Sequence, residues 1–111
     1  MTLGQKQRKF TKMITQLILW AYDNGYELTV GDGYRDPRVF GKVGEKKGYG
    51  HPKSGHKMRL ALDLNLFKDG EFLTTTEAHT PLGLEWERMG GSWGGRFEDG
   101  NHYSLEHEGI Q

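Results

Sequence analysis

His56 and Asp63 stand seven positions apart in "SGHKMRLALDLNLF", Ser54 to Phe67, and His102 follows in "EDGNHYS". Two imidazoles and one carboxylate are a common ligand set for catalytic zinc, with a fourth position left for water. A carboxylate held away from solvent is costly unless something pairs with it, and a dication beside Asp63 would offset that cost. Asp99 lies three residues before His102, where it could take a proton from such a water and pass it to a leaving group. The plainer reading of Asp99 is a turn aspartate before glycine. Arg35, in "GYRDP", could clamp a carboxylate or stabilise an oxyanion, or it could be a surface salt-bridge partner.

Other chemistries fit the same residues less well. A non-haem iron(II) oxygenase also uses two histidines and a carboxylate, but its first two ligands usually stand closer, as HxD. A binding module with a structural zinc needs four protein ligands; a fourth from His107 or His51 would favour it. His51, His79 and His107 otherwise read as surface histidines.

Local patterning indicates how these residues are held. Leu60, Leu62, Leu64 and Leu66 alternate with Ala61, Asp63, Asn65 and Phe67. That is the period of a strand with its leucine face on the core and Asp63 on the other face. Asp69-Gly70 next reads as a two-residue hairpin turn. Upstream, Phe10, Met13, Ile14, Leu17, Ile18 and Ala21 recur at helical spacing between Gln5 and Asn24. "YELTV", Tyr26 to Val30, alternates as a half-buried strand would. Thr80-Pro81 reads as an N-cap with proline in the first turn of a short helix carrying Leu82, Trp86 and Met89. A short strand is expected from about Asn101, with His102, Ser104 and Glu106 on one face. The stretch from Gly41 to Gly55 has no period and reads as a long loop, either a rim or lid or a solvated segment.

Composition bounds the possibilities. At 111 residues the chain has room for one domain, 1–111, with one modest core. Lysine plus arginine equal aspartate plus glutamate at 15 each, so bulk charge gives no reason to expect nucleic acid or an anionic membrane as partner. Cysteine is absent, which excludes disulfides and thiolate metal sites. The N-terminus lacks the apolar stretch of a signal peptide, and "LILWAY" is too short to span a bilayer. The expected location is therefore the cytoplasm, with access to anything outside supplied by another protein, and with no stable membrane association.

Two blocks resemble a known family. "SGHKMRLALD" is similar to the SxHxxxxAxD pattern of the zinc D-alanyl-D-alanine carboxypeptidases, D,D-dipeptidases and phage L-alanyl-D-glutamate endopeptidases. "SWGGRFEDGNHY" is similar to their second block, a glycine-rich WGG loop leading to DxxH and an aromatic. "GYRDP" looks like the upstream arginine of the family, and the blocks run in the same order from about Gly33 to Tyr103.

The resemblance implies an α+β fold, Hedgehog/DD-peptidase-like, with a small antiparallel sheet carrying the metal site and two or three helices packed on it. It implies zinc held by His56, Asp63 and His102, with Asp99 activating the water and Arg35 polarising the substrate. It gives Ser54 a supporting or substrate-binding part. Trp93, with Tyr34 and Tyr103, could line the substrate groove, although buried aromatics are the commoner explanation. The expected activity is hydrolysis of peptidoglycan stem peptides by a monomeric phage endolysin, at the L-alanyl-D-glutamate bond; the alternative is removal of terminal D-alanine. Two positions depart from the pattern: Arg59, where many members have glycine, and Ser104, where many have glutamate or glutamine.

Overall fold

Thr2 and Gln5 start the first element by capping each other. The Thr2 hydroxyl accepts from the Gln5 backbone N–H, and the Gln5 side chain accepts from the Thr2 N–H. This capping box begins helix α1 (Leu3–Asp23) two residues before Gln5, where the expected span starts. The helix buries Phe10, Met13, Ile14, Leu17 and Ala21, and Gly25 reverses the chain at φ +86°. The computed structural model describes residues 1–34, 42–44 and 54–111.

Strand β1 (Glu27–Val30) leads, through segment 31–34, towards β2 (Ala61–Lys68), β3 (Glu71–Leu73), helix α2 (Thr80–Arg88), β4 (Ser92–Trp93) and β5 (His102–Ser104). All pairings among these strands are antiparallel, in the order β1-β2-β5-β4, with β3 also on β2. Among the described residues this is an α+β architecture with an open five-stranded sheet and two α-helices. No helix among the described residues is long and apolar enough to cross a membrane.

Strand β2 is central because its pattern suits two environments at once. Leu60, Leu64 and Leu66 are fully buried against α1, and Leu62 packs at the margin of the same cluster. Each fully buried leucine contributes about 1.5–3 kcal/mol. The turn after it forms as its residues demand, with Asp69 at φ 51° and Gly70 at φ 77°. Val30 departs from the expected alternation: it is 65% exposed, because β1 runs past the cover that α1 supplies to Leu28.

Three further expectations are corrected. Thr80 is the first residue of α2 and not its cap, because the 3-10 turn Glu77–His79 feeds helical dihedrals straight into it. Proline nevertheless sits in the first turn. The glycine-rich stretch is not plain loop: Ser92–Trp93 pairs with β5, and Gly94–Phe97 forms a 3-10 turn.

His79 is not a surface residue. It is 3% exposed, and its Nδ1 lies 2.8 Å from the Tyr103 hydroxyl. Burial pushes the Tyr103 phenol up, so the hydroxyl stays protonated and can donate to an unprotonated Nδ1. Burial also pushes His79 down from its ordinary 6.5 to about 4.

A histidine kept neutral in this way destabilises the fold on acidification. The unfolded chain takes up its proton below 6.5, while the folded chain resists until about 4. Stability is therefore full above pH 6.5 and falls towards pH 4, by on the order of 3 kcal/mol at 1.36 kcal/mol per unit. Urea midpoints measured from pH 7 to 4 are expected to fall more steeply for the wild type than for His79→Gln. Equal slopes would remove His79 as the cause.

Candidate metal centre

Register brings two of the three expected ligands together. In the β2–β5 ladder Ala61 faces Ser104, Leu62 faces Tyr103 and Asp63 faces His102. Directly paired residues share a sheet face. Tyr103 and Leu62 go to the core, so Asp63 and His102 project side by side on the opposite face.

The third comes from a short turn. Ser54 caps the 3-10 turn Gly55–Met58, its hydroxyl accepting from the His56 backbone N–H at 3.2 Å. Leu60 N–H closes the turn on the Gly55 carbonyl at 2.9 Å. Arg59 ends it at φ 58°, a conformation glycine adopts without strain. Its guanidinium lies over the Tyr34 ring, 4.3 Å from the centroid. The departure from glycine at this position thus leaves the turn in place. His56 emerges only 1% exposed.

The ligand atoms form a tight triangle. His56 Nε2 is 3.1 Å from Asp63 Oδ1, His102 Nδ1 is 3.2 Å from His56 Nε2, and His102 Nδ1 is 3.4 Å from Asp63 Oδ1. The outer nitrogens fix the tautomers. His56 Nδ1 is 2.7 Å from the Gly33 carbonyl, and His102 Nε2 is 3.3 Å from a main-chain oxygen of Gln111. Such a main-chain oxygen, in a peptide or in an ionised carboxylate, can only accept, so each of those nitrogens carries the hydrogen. His56 Nε2 and His102 Nδ1 are left as lone pairs aimed at a carboxylate. Three acceptors this close repel unless positive charge lies among them, either a proton or a cation.

Burial alone would raise the Asp63 carboxyl. With a proton among the three groups, hydrogen bonds and positive charge from His102 and His56 outweigh it and hold the carboxyl at about 2; a cation in the proton's place favours the carboxylate in the same way. His56, Asp63 and His102 could hold a metal ion together, and among the described residues they are the group that can. Two imidazole nitrogens and a carboxylate oxygen suit a first-row transition metal better than magnesium or calcium, which prefer all-oxygen sites.

Segment 31–33 supports the triangle from the other edge of β2. Gly31 N–H donates to the Asp63 carbonyl and Asp63 N–H donates to the Asp32 carbonyl, both at 2.8 Å. One short stretch thus holds the Asp63 backbone and, through Gly33, the His56 ring. Across the site, a Cβ on Gly94 would sit 2.4 Å from the Asp99 carbonyl oxygen and 2.6 Å from His102 Cβ. No side chain fits there. Neither the Gly33 nor the Gln111 main-chain oxygen is marked by any residue type, so composition and spacing could not point to them.

The remaining expected site residues fall in different places. Asp99 donates its backbone N–H to the Gly94 carbonyl and accepts from the His102 N–H. Its carboxylate is exposed, is not one of the clustered ligand atoms, and lines a cleft with Asn65, Thr74, Thr76 and Asn101. Asn65 is the next residue after Asp63 on the same face of β2. Ser54 is 6% exposed, and its hydroxyl supports the turn that carries His56.

Trp93 is a core residue and not a groove wall. It is 5% exposed, donates its indole N–H to the Gly100 carbonyl at 2.8 Å, and packs where a Cβ on Gly83 or Gly95 would collide with it. Glycines flank it because the flat ring needs backbone on both sides. Ser104 is fully buried by β4, with its Oγ 3.4 Å from the Ser92 carbonyl; it makes no bond to the ligands. His107 is outside the ligand cluster, with its Nε2 3.9 Å from the Glu108 carboxylate. Arg35, His51 and most of the Gly41–Gly55 stretch lie outside the described residues.

A scan against models of known protein families found no match, nor did a search of curated proteins.

Proposed function

We propose that this chain is a zinc peptidase that hydrolyses peptide bonds in bacterial peptidoglycan stem peptides, at the L-alanyl-D-glutamate bond, as a phage endolysin does. The observation that carries the reading is the triangle of donor atoms, 3.1 to 3.4 Å on a side. Ligands at 2.0–2.1 Å from a tetrahedral zinc are separated by about 3.3–3.4 Å. The described residues supply three ligand groups to this cluster, the number a catalytic zinc site takes from the protein while keeping its fourth position for water. The family resemblance of the two sequence blocks that carry these residues supports the same reading, and it supplies the substrate class.

Zinc, when bound, supplies Lewis acidity and lowers the pKa of water. The protein supplies the rest. Gly33 and Ser54 hold the His56 ring and its turn, and the β2–β5 register holds Asp63 beside His102. The Asp99 carboxylate, exposed at the edge of the cleft, takes a proton from the attacking water as its oxygen bonds to the scissile carbonyl carbon. It returns that proton to the amine nitrogen as the C–N bond breaks. The cleft that Asp99 lines with Asn65 and Asn101 gives the peptide room; those residues neighbour Asp63 and His102 along β2 and β5, although the three ligand residues do not themselves line it.

Digestion of purified peptidoglycan with and without a chelator, followed by identification of the new termini, tests the proposal. New N-terminal D-glutamate that disappears with chelator and returns with zinc is expected. Release of free D-alanine would indicate the carboxypeptidase activity instead, and cleavage indifferent to chelator would overturn the metal reading.

A further inference from the structure

We propose that a main-chain oxygen of Gln111 is a positioning group for the metal centre, setting the His102 ring in the tautomer that offers Nδ1 to the ion. The inference rests on the zinc reading above and deepens it.

The path of the last residues brings that oxygen to the site. After β5, Leu105 N–H donates to the Leu60 carbonyl at 2.8 Å, keeping the chain against the strand that carries Asp63. His107 and Ile110 then exchange two backbone hydrogen bonds, at 3.0 and 2.9 Å. Between them Glu108 and Gly109 are both left-handed, at φ 51° and 81°. Two successive positive φ values define the tight hairpin turn that reverses a chain within two residues. Ile110 packs against the core and anchors the returning arm.

Gln111 therefore lies over the turn that carries His56. A Cβ on Gly55 would meet the Gln111 main-chain oxygen at 3.2 Å and its carbon at 3.3 Å, so the tail and the turn touch backbone to backbone. The same oxygen is 3.3 Å from His102 Nε2.

The chemical consequence follows from imidazole itself. Either ring nitrogen can bind a metal, and the hydrogen bond made by the other decides which one does. Gly33 makes that choice for His56 at 2.7 Å, leaving Nε2 inward. Gln111 makes the opposite choice for His102, leaving Nδ1 inward. Two main-chain oxygens from distant parts of the chain thus give two histidines complementary tautomers around Asp63.

A chain ending at Ile110 tests this, since it keeps the apolar anchor and the hairpin bonds while removing the acceptor. Zinc affinity, measured by competition with a chromophoric chelator, is expected to fall about tenfold, the low end of the range for losing a group that supports a ligand. Long-range 1H–15N spectra of the zinc-loaded full chain should show His102 protonated at Nε2 and metal-bound at Nδ1. The shortened chain should show a mixture. Gln111→Ala keeps the main-chain oxygen and should restore both readouts.

Unchanged affinity with an unchanged His102 pattern in the shortened chain would overturn the inference and leave the zinc reading standing. Metal on Nε2 of His102 in the full chain would also overturn it, whether or not the shortened chain folds. A full chain that binds no zinc would remove both readings together.

Discussion

His56→Ala is expected to abolish zinc binding and peptidoglycan hydrolysis together. His56 is the candidate ligand on which the other two converge, with Nε2 at 3.1 Å from Asp63 and 3.2 Å from His102. Without it the site has one imidazole and one carboxylate, fewer than the three protein ligands that hold a catalytic zinc. The loss should exceed the about 10–100-fold that follows removal of a group merely supporting a ligand. The substitution also empties a fully buried position and leaves the Gly33 carbonyl without its donor. A lower melting temperature is therefore expected alongside, and far-UV spectra must show that the variant is folded. Zinc content after dialysis, determined on folded protein, is the measurement. A variant that retains one equivalent of zinc would remove His56 from the ligand set.

Asp99→Asn should separate binding from catalysis. Asp99 is held by its backbone, through the Gly94 carbonyl and the His102 N–H, and an asparagine keeps those bonds and the side-chain shape. Its carboxylate has no hydrogen bond or ion pair with any described residue, so stability should change by no more than about 0.5 kcal/mol. Zinc affinity should stay at the wild-type level, because Asp99 is not among the clustered ligand atoms. The rate of cleavage should fall about 10²–10⁴-fold, the usual contribution of a positioned proton carrier. Hydrolysis at the wild-type rate would exclude Asp99 from proton transfer and return it to the role of a turn residue.

Much of this molecule follows from local pattern, because helix and strand periods are written in neighbouring residues. The leucines at every second position of β2 set Asp63 on the face away from the core before any partner strand is considered. The apolar spacing of α1 and the Asp69-Gly70 turn are legible for the same reason. The triad too could be suspected from residue types alone.

What no short window contains is register. Asp63 meets His102 because β2 and β5 pair with those residues opposite one another; a slip by one residue would send the imidazole to the other face. Tertiary packing likewise decided that His79 and Trp93 lie inside, against Tyr103 and between glycines, where their types alone suggested the surface and a groove. The two oxygens that meet the outer nitrogens of His56 and His102 are main-chain atoms of Gly33 and Gln111, and every residue in the chain carries such an oxygen. Side-chain chemistry can be read along a chain, but which backbone group meets which ring is set by long-range packing, and only the folded structure brings those groups together.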